Sequence, residues 1–206
     1  EFGFADGVPV AMGSVDGSTA ILGAGGTRKN MAVNVMGTTE VFFMVTEKWQ
    51  TDKTAGLIVN PHVIPGLWLV GGPMGMFGGT VDWLLESVMG RSADILEMNE
   101  RAARLEPGCG GLCVYPNLAG ERTPFWNPGF RGTIVGAEHS HQAEHFFRGI
   151  MEASGYSVER IIELGRAAGI SFDEVIAIGG GAKSPLWLQI KADITGKKYY
   201  SAEVPE

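Results

Sequence analysis

The sequence predicts an α/β domain, and three observations carry that prediction. Short segments rich in apolar and β-branched residues alternate along the chain with segments whose apolar residues recur at helical spacing. The 31 glycines gather in short runs between those segments, at 23–26, 71–79, 108–111 and 179–181, instead of forming a repeat. Hydrophobic residues make up 45% of the chain and charged residues 19%, the balance of a sequence that buries a core. At 206 residues, one large or two small domains are both compatible with the length.

In chain order, Val8–Met12, Met31–Met36 and Glu40–Val45 read as neighbouring strands or a hairpin, so the first third is expected to be mostly sheet. From Thr80 the pattern turns helical, with Trp83, Leu84, Leu85 and Val88 at the right spacing. Ser92 is expected to cap a second helix running through Leu105, where Pro107 and Gly108 stop it. The segment Cys109–Arg131, with Pro116, Pro124 and Pro128, reads as a loop longer than most and therefore functional. Ser140 is expected to cap a long helix in which Phe146, Ile150, Tyr156, Ile161 and Leu164 recur near a 3.6-residue period, ending around Gly169. Glu174–Ile178 reads as a buried strand, followed by Gly179–Gly181 and a helix with Ser184 at its N-cap and Pro185 at its first position.

Charge and composition exclude several classes of function. A net charge of −7 and a pI near 5.1, without a local cluster of Lys and Arg, argue against a nucleic-acid partner. The most apolar stretch, around Gly66–Gly79, is broken by glycines and Pro73 and is shorter than the roughly 20 residues of a membrane span. Two cysteines, Cys109 and Cys113, are too few for a secreted disulfide framework, and with no signal peptide at the start the expectation is a cytoplasmic protein.

The strand, glycine turn and helix at 174–195 form the strongest local signal. A helix N-terminus offers free N–H groups and partial positive charge, and a glycine run before it lets a phosphate or base approach without meeting Cβ atoms. A P-loop needs Gly immediately before Lys, whereas Ala182 precedes Lys183 and Ser184. A dinucleotide fingerprint fails as well, because Gly23, Gly25 and Gly26 give only G-x-G-G and are followed by a polar stretch and another strand.

Four segments, in order, resemble the FGGY family of carbohydrate kinases. GSVDGSTA at 13–20 is similar to the family segment carrying the catalytic acid residue, and MGTTEVFF at 36–43 to its second phosphate-binding hairpin. LAGERTPFWNPGFRG at 118–132 and the helix after it also resemble the family, and IGGGAKSPLWLQIKADITG at 178–196 is similar to its adenosine motif. The resemblance implies a ribonuclease H-like, actin-like domain, a mixed sheet flanked by helices, that binds ATP with Mg²⁺ and serves the phosphorylation of a sugar or polyol. It implies Asp16 as the general base, Gly37 and Thr38 as phosphate contacts, Gly78, Val81 and Asp82 as one side of the adenosine pocket, and Gly180, Gly181 and Ala182 as its opposite wall. Few Mg²⁺ ligands are expected from this chain.

Residues 1–206 then stand as the C-terminal, nucleotide-binding domain of a kinase, with the N-terminal sugar-binding domain absent, the C-terminal end truncated, and little activity expected of the piece alone. The partners expected are a small sugar or polyol and the missing domain, with no nucleic acid and no membrane; a homodimer is compatible with the sequence, which leaves the oligomeric state open. Two positions depart from the family pattern. Gly17 has no side chain to hold the sugar, and Glu40 puts a carboxylate beside the phosphate hairpin, which is unfavourable unless it points away.

Blander readings stand beside these. Asp16 next to Gly17 also suits a plain turn. His139, His141 and His145 lack metal-ligand spacing and suit a solvated helix start, and the C-x₃-C pair suits packing. The alternatives to a kinase are a non-catalytic nucleotide-binding or interaction module of the same fold and, more weakly, an NAD-binding domain lacking a ribose-binding acid.

Overall fold

The structure is a computed structural model that describes residues 3, 5–10, 13–90 and 94–202. Among the described residues the strands are β1 (Met31–Met36), β2 (Glu40–Thr46), β3 (Ile58–Pro61), β4 (Trp68–Pro73), β5 (Cys113–Tyr115), β6 (Thr133–Val135), β7 (Glu174–Ile178) and β8 (Lys198–Ser201). Its helices are α1 (Asp16–Gly23), α2 (Phe77–Trp83, continued as a wider π turn over Leu84–Val88), α3 (Ile95–Ala103), α4 (Ala143–Ala167) and α5 (Pro185–Thr195).

Six strands make one mixed sheet in the order β3-β4-β2-β1-β7-β8, and β5 pairs with β6 beside it. β1 and β2 form an antiparallel hairpin with Met36 opposite Glu40. β7 runs parallel to β1, with Ile178 opposite Val35, and β8 runs parallel to β7. Consequently the turn after β1 and the turn after β7 leave the sheet side by side at one end.

Side chains alternate between the two faces, as the period of a strand requires. Ala32, Met36, Phe42, Met44, Val70, Val175 and Ala177 pack beneath α4 and α5, against Phe147, Ile150, Met151, Val158, Ile161, Trp187 and Ile190. Val33, Phe43, Val45 and Leu69 face the other way and are covered by Ile21 of α1. At about 1.5–3 kcal/mol for each large apolar side chain buried, the first face holds most of the core energy.

The 25-residue helix on the first face is long because its buried apolar residues keep a 3–4 spacing through its middle turns, from Phe147 to Ile162. α5 has the start foreseen for it. Ser184 accepts the Trp187 N–H at 3.2 Å, Pro185 opens the helix, and Gly196 closes it in the left-handed conformation at φ 63°.

Several expectations shift. Val8–Val10 form no strand, and Met12 lies outside the described residues; both edges of β1 are already taken by β2 and β7, which leaves no adjacent slot. β3 and β4 arise from sequence interrupted by Asn60, Pro61, Gly71 and Gly72, where pairing of β4 with β2 and of β3 with β4 overrides weak propensity. Ser92 also lies outside the described residues; the cap of α3 is Asp94, whose Oδ1 accepts the Leu96 N–H at 2.8 Å, and the helix ends at Ala103. α4 begins three residues after Ser140, with Gln142 as N-cap in a reciprocal capping box with His145. The long loop contains β5 and is pinned to the sheet, with Thr123 N–H donating to Pro73 O at 3.0 Å and Trp126 Nε1 donating to Gly56 O at 2.7 Å. No helix among the described residues is long and apolar enough to cross a membrane.

Candidate functional site

Three backbone segments meet at the end of the sheet where β1 and β7 finish. The first is the Gly37–Thr39 turn of the hairpin. The second is the start of α2, whose Gly79 N–H donates to Thr38 O at 3.1 Å. The third is the Gly179–Gly181 turn, where the Ala182 N–H closes back onto Gly179 O at 3.0 Å.

Glycine permits that approach. A Cβ on Gly78 would overlap the carbonyl oxygen of Gly37 and stand 3.0 Å from its carbon and 3.3 Å from Thr38 Cα. Gly179, at φ 89°, has Met36 backbone atoms within 2.9 Å of where a Cβ would sit. A Cβ on Gly181 would stand 2.9 Å from Met36 Cβ. Gly180 differs: it is exposed, and nothing lies within 4 Å of its Cβ position, so its outer side faces open space. The arrangement leaves a backbone-lined rim with N–H groups and the exposed Thr38 hydroxyl at its edge, a surface suited to anionic groups and flat rings.

Of the residues singled out from the sequence, Gly37, Thr38, Gly78 and Gly181 come together here, with Gly180 on the open side. Ala182 and Val81 are 2% and 3% exposed and sit in the core beneath this rim, so they support it from below. Asp82 is exposed on α2. Asp16 is exposed as the first residue of α1, on the opposite face of the sheet from α5, with its Oδ1 accepting the Gly17 N–H at 2.7 Å. Gly79 and Gly179 belong to the rim as well; each adjoins a residue already singled out, and the sequence signal for them was membership of a glycine pair.

Glu40, one residue past the turn, does point away from the rim. It is 1% exposed and lies in the core, where Oε1 accepts from Lys191 Nζ at 2.5 Å and Asn34 Nδ2 at 2.8 Å, and Oε2 accepts from Ser154 Oγ at 2.6 Å. Burial pushes the Lys191 ammonium down from its ordinary pKa, and the Glu40 carboxylate opposes that shift. Sequence reasoning missed the partner; the available signal was a lone Lys on an apolar helix face.

Two of the histidines serve the start of α4. His141 Nδ1 accepts the Glu138 N–H at 2.8 Å and His145 Nδ1 accepts the Gln142 N–H at 3.1 Å, so both finish the entry to α4. Among the described residues no three His, Cys, Asp or Glu side chains converge to hold a metal ion. Cys109 is buried and Cys113 exposed, and neither is disulfide-bonded. Burial, helped by the nearby Glu152 carboxylate, pushes the Cys109 thiol up to about 12. Two clefts, of about 750 and 400 Å³, lie elsewhere, between the 108–135 segment and α4. They are lined mainly by apolar side chains such as Phe125, Phe130, Phe146 and Ile150, and the rim is built instead from backbone.

Comparison with known proteins gives concordant results. Residues 32–206 match the model of the FGGY family of carbohydrate kinases, C-terminal domain. The chain is 32% identical over 194 residues to a xylulose kinase of Staphylococcus epidermidis, covering 94% of the chain and 39% of that protein. It is 30% identical over 196 residues to a gluconokinase of Bacillus subtilis, covering 90% of the chain and 38% of that protein. A solved xylulose kinase from Rhodospirillum rubrum superposes with a TM-score of 0.84 at 26% identity, covering 97% of the chain and 40% of that structure. The chain therefore spans about two fifths of the length of the relatives it matches.

Proposed function

Because the chain belongs to the C-terminal domain of the FGGY family of carbohydrate kinases, we propose that it supplies the nucleotide side of an ATP-dependent kinase acting on a hydroxyl of a sugar or polyol. The observation that carries this reading is the meeting of the Gly37–Thr39 turn, the start of α2 and the Gly179–Gly181 turn at backbone contact distance. A Cβ on Gly78, Gly179 or Gly181 would collide with protein, and a side chain on Gly180 would occupy the space a ligand needs.

In this reading the Gly37 N–H and Thr38 hydroxyl donate to phosphate oxygens, and Gly78, Gly180 and Gly181 flank the adenosine. Asp16, an exposed carboxylate, takes the proton from the acceptor hydroxyl as that oxygen attacks the terminal phosphoryl group. No acidic cluster among the described residues offers a cage for Mg²⁺, so the ion would arrive bound to the nucleotide and neutralise its charge there. The proposed acceptor is a small ketose such as the xylulose named for the first relative, bound largely by a further domain that also completes the active site. Two free thiols suit a reducing compartment, and we place the kinase in the cytoplasm.

Calorimetric titration of the chain with Mg·ATP and, separately, NAD tests the proposal. Mg·ATP should bind, NAD should not, and Gly180→Trp should abolish ATP binding while leaving the melting temperature in place. A folded chain that binds NAD, or that binds ATP equally well with Trp at position 180, would refute it.

A further inference from the structure

Burying an ion pair costs several kcal/mol per ion in lost hydration, and apolar residues of the same size commonly give equal or greater stability. Lys191 and Glu40 are nonetheless 0% and 1% exposed. The two are tied into a network of directional hydrogen bonds, although Oδ1 of the adjoining Asn34 has no hydrogen-bond partner among the described residues. Lys191 Nζ donates to Glu40 and to Ser154 Oγ at 2.6 Å, the Ser154 hydroxyl donates to Glu40, and Trp187 Nε1 donates to Ser154 Oγ at 3.3 Å. Asn34 holds the same carboxylate from β1.

The location of this network sets it apart from an ordinary buried pair. Glu40 is the first residue after the Gly37–Thr39 turn. Its backbone N–H donates to Gly75 O at 3.1 Å and its carbonyl accepts the Met74 N–H at 2.7 Å, which fixes the corner that launches α2. Its side chain reaches α5, the helix launched by the Gly179–Gly181 turn. Lys191 lies seven residues beyond the Ser184 N-cap, about 10 Å along a helix rising 1.5 Å per residue. Glu40 thus adjoins the first segment of the rim, bonds to the residues that lead into the second, and is paired with the helix that follows the third. Apolar contacts would fill the same space without dictating a distance; a carboxylate held by three directional donors does dictate one.

We propose that the Glu40–Lys191 pair, with Ser154, sets the spacing between the hairpin turn and the glycine turn, so that these three are positioning residues for nucleotide binding. The proposal rests on the reading of the rim as a nucleotide site. It makes the pair a device for geometry in preference to stability, and the two roles separate experimentally.

The experiment compares the chain with the double variant Glu40→Met/Lys191→Met, which removes both charges together and leaves no orphan ion. Three quantities are measured: melting temperature, Mg·ATP affinity, and hydrogen exchange of the 37–39 and 180–184 amides without nucleotide. Expected are a melting temperature at or above that of the native chain, affinity about tenfold weaker, in the range reported for residues that couple separated elements, and faster exchange at both turns with unchanged exchange in the centres of β1 and β7. Native affinity and native exchange in a folded double variant would overturn the proposal. If the unaltered chain does not bind Mg·ATP, the nucleotide reading fails, and the exchange arm still decides whether the pair orders the turns. Should the double variant not fold, Glu40→Gln, which keeps the shape and one acceptor oxygen while removing the charge and turning the other acceptor into a donor, is read in the same way: native affinity and exchange there overturn the proposal, and weakened affinity with faster exchange at the turns supports it.

Discussion

Gly78→Ala probes the rim through a single methyl group. The added Cβ would overlap the Gly37 carbonyl oxygen and lie 3.0 Å from its carbon and 3.3 Å from Thr38 Cα, all of them backbone atoms with no rotamer to yield. Carbon contacts relax near 3.5–4.0 Å, so the start of α2 and the hairpin turn must separate by roughly half an ångström to one ångström. Overpacking of this kind costs about 1–3 kcal/mol. The better helix propensity of Ala returns up to about 1 kcal/mol, which leaves a net loss near 1 kcal/mol and a melting temperature lower by about 2–4 °C for a chain of this size. The effect on function should be larger, because the displaced atoms belong to the turn itself; Mg·ATP affinity should fall about tenfold or more, in line with the sensitivity of ligand sites to misplacement on this scale. Calorimetric melting and titration read both quantities. Gly180→Ala is the control for stability, since nothing lies within 4 Å of its Cβ position and the substitution should be neutral or stabilising by about 0.4–1 kcal/mol. A Gly78→Ala chain with native melting temperature and native affinity would refute the claim that α2 pins the turn.

Asp16→Asn should lower turnover of the active kinase by about 10²–10⁴-fold if its carboxylate is the general base, without lowering the melting temperature, because the side chain is exposed; turnover with a saturating sugar checks it. Ser184→Ala removes the acceptor of the Trp187 N–H and the donor to Asn99 Oδ1 at 2.6 Å, and should cost about 1 kcal/mol in denaturant unfolding. Cys113 should react rapidly with a thiol reagent at pH 8 and Cys109 only on unfolding, given their exposure and the raised thiol pKa. The same shift predicts a pH effect. The unfolded thiol ionises near its ordinary value of 9.0 and the folded one near about 12, so the folded state holds an extra proton between those values. This contribution is complete below pH 9.0 and is lost as pH rises toward 12, and Cys109→Ala should flatten the alkaline fall in melting temperature.

Local chemistry determined a good deal about this protein. The hairpin strands at 31–36 and 40–46, the strand at 174–178, and the cap and first turn of α5 were legible because each is set by residues within a few positions of one another: β-branched runs, a turn, a Ser-Pro start. The glycines of the rim were legible as a kind, since a chain that places them just after strands is built for close approach. Their convergence was not legible. It depends on β7 joining β1 in parallel across more than a hundred residues, and on α2 returning to the hairpin, neither of which leaves a periodic trace. For the same reason β3 and β4 escaped notice, because pairing of β4 with β2 and of β3 with β4 outweighs what Asn60, Pro61, Gly71 and Gly72 prefer on their own.

Glu40 shows the division most clearly. From sequence it is a carboxylate beside a phosphate turn, an electrostatic liability unless it points away; that condition could be stated but not decided. Register decides it: pairing of Met36 with Glu40 puts the side chain on the α4–α5 face, and the packing of those helices brings Lys191 and Ser154 to meet it. Sequence fixes what each segment can do locally, because propensity, capping and turn chemistry act over a few residues. Which segments share a site, and which charges find partners, is decided by tertiary structure, because those contacts join residues remote in the chain and are set by the burial of the whole core.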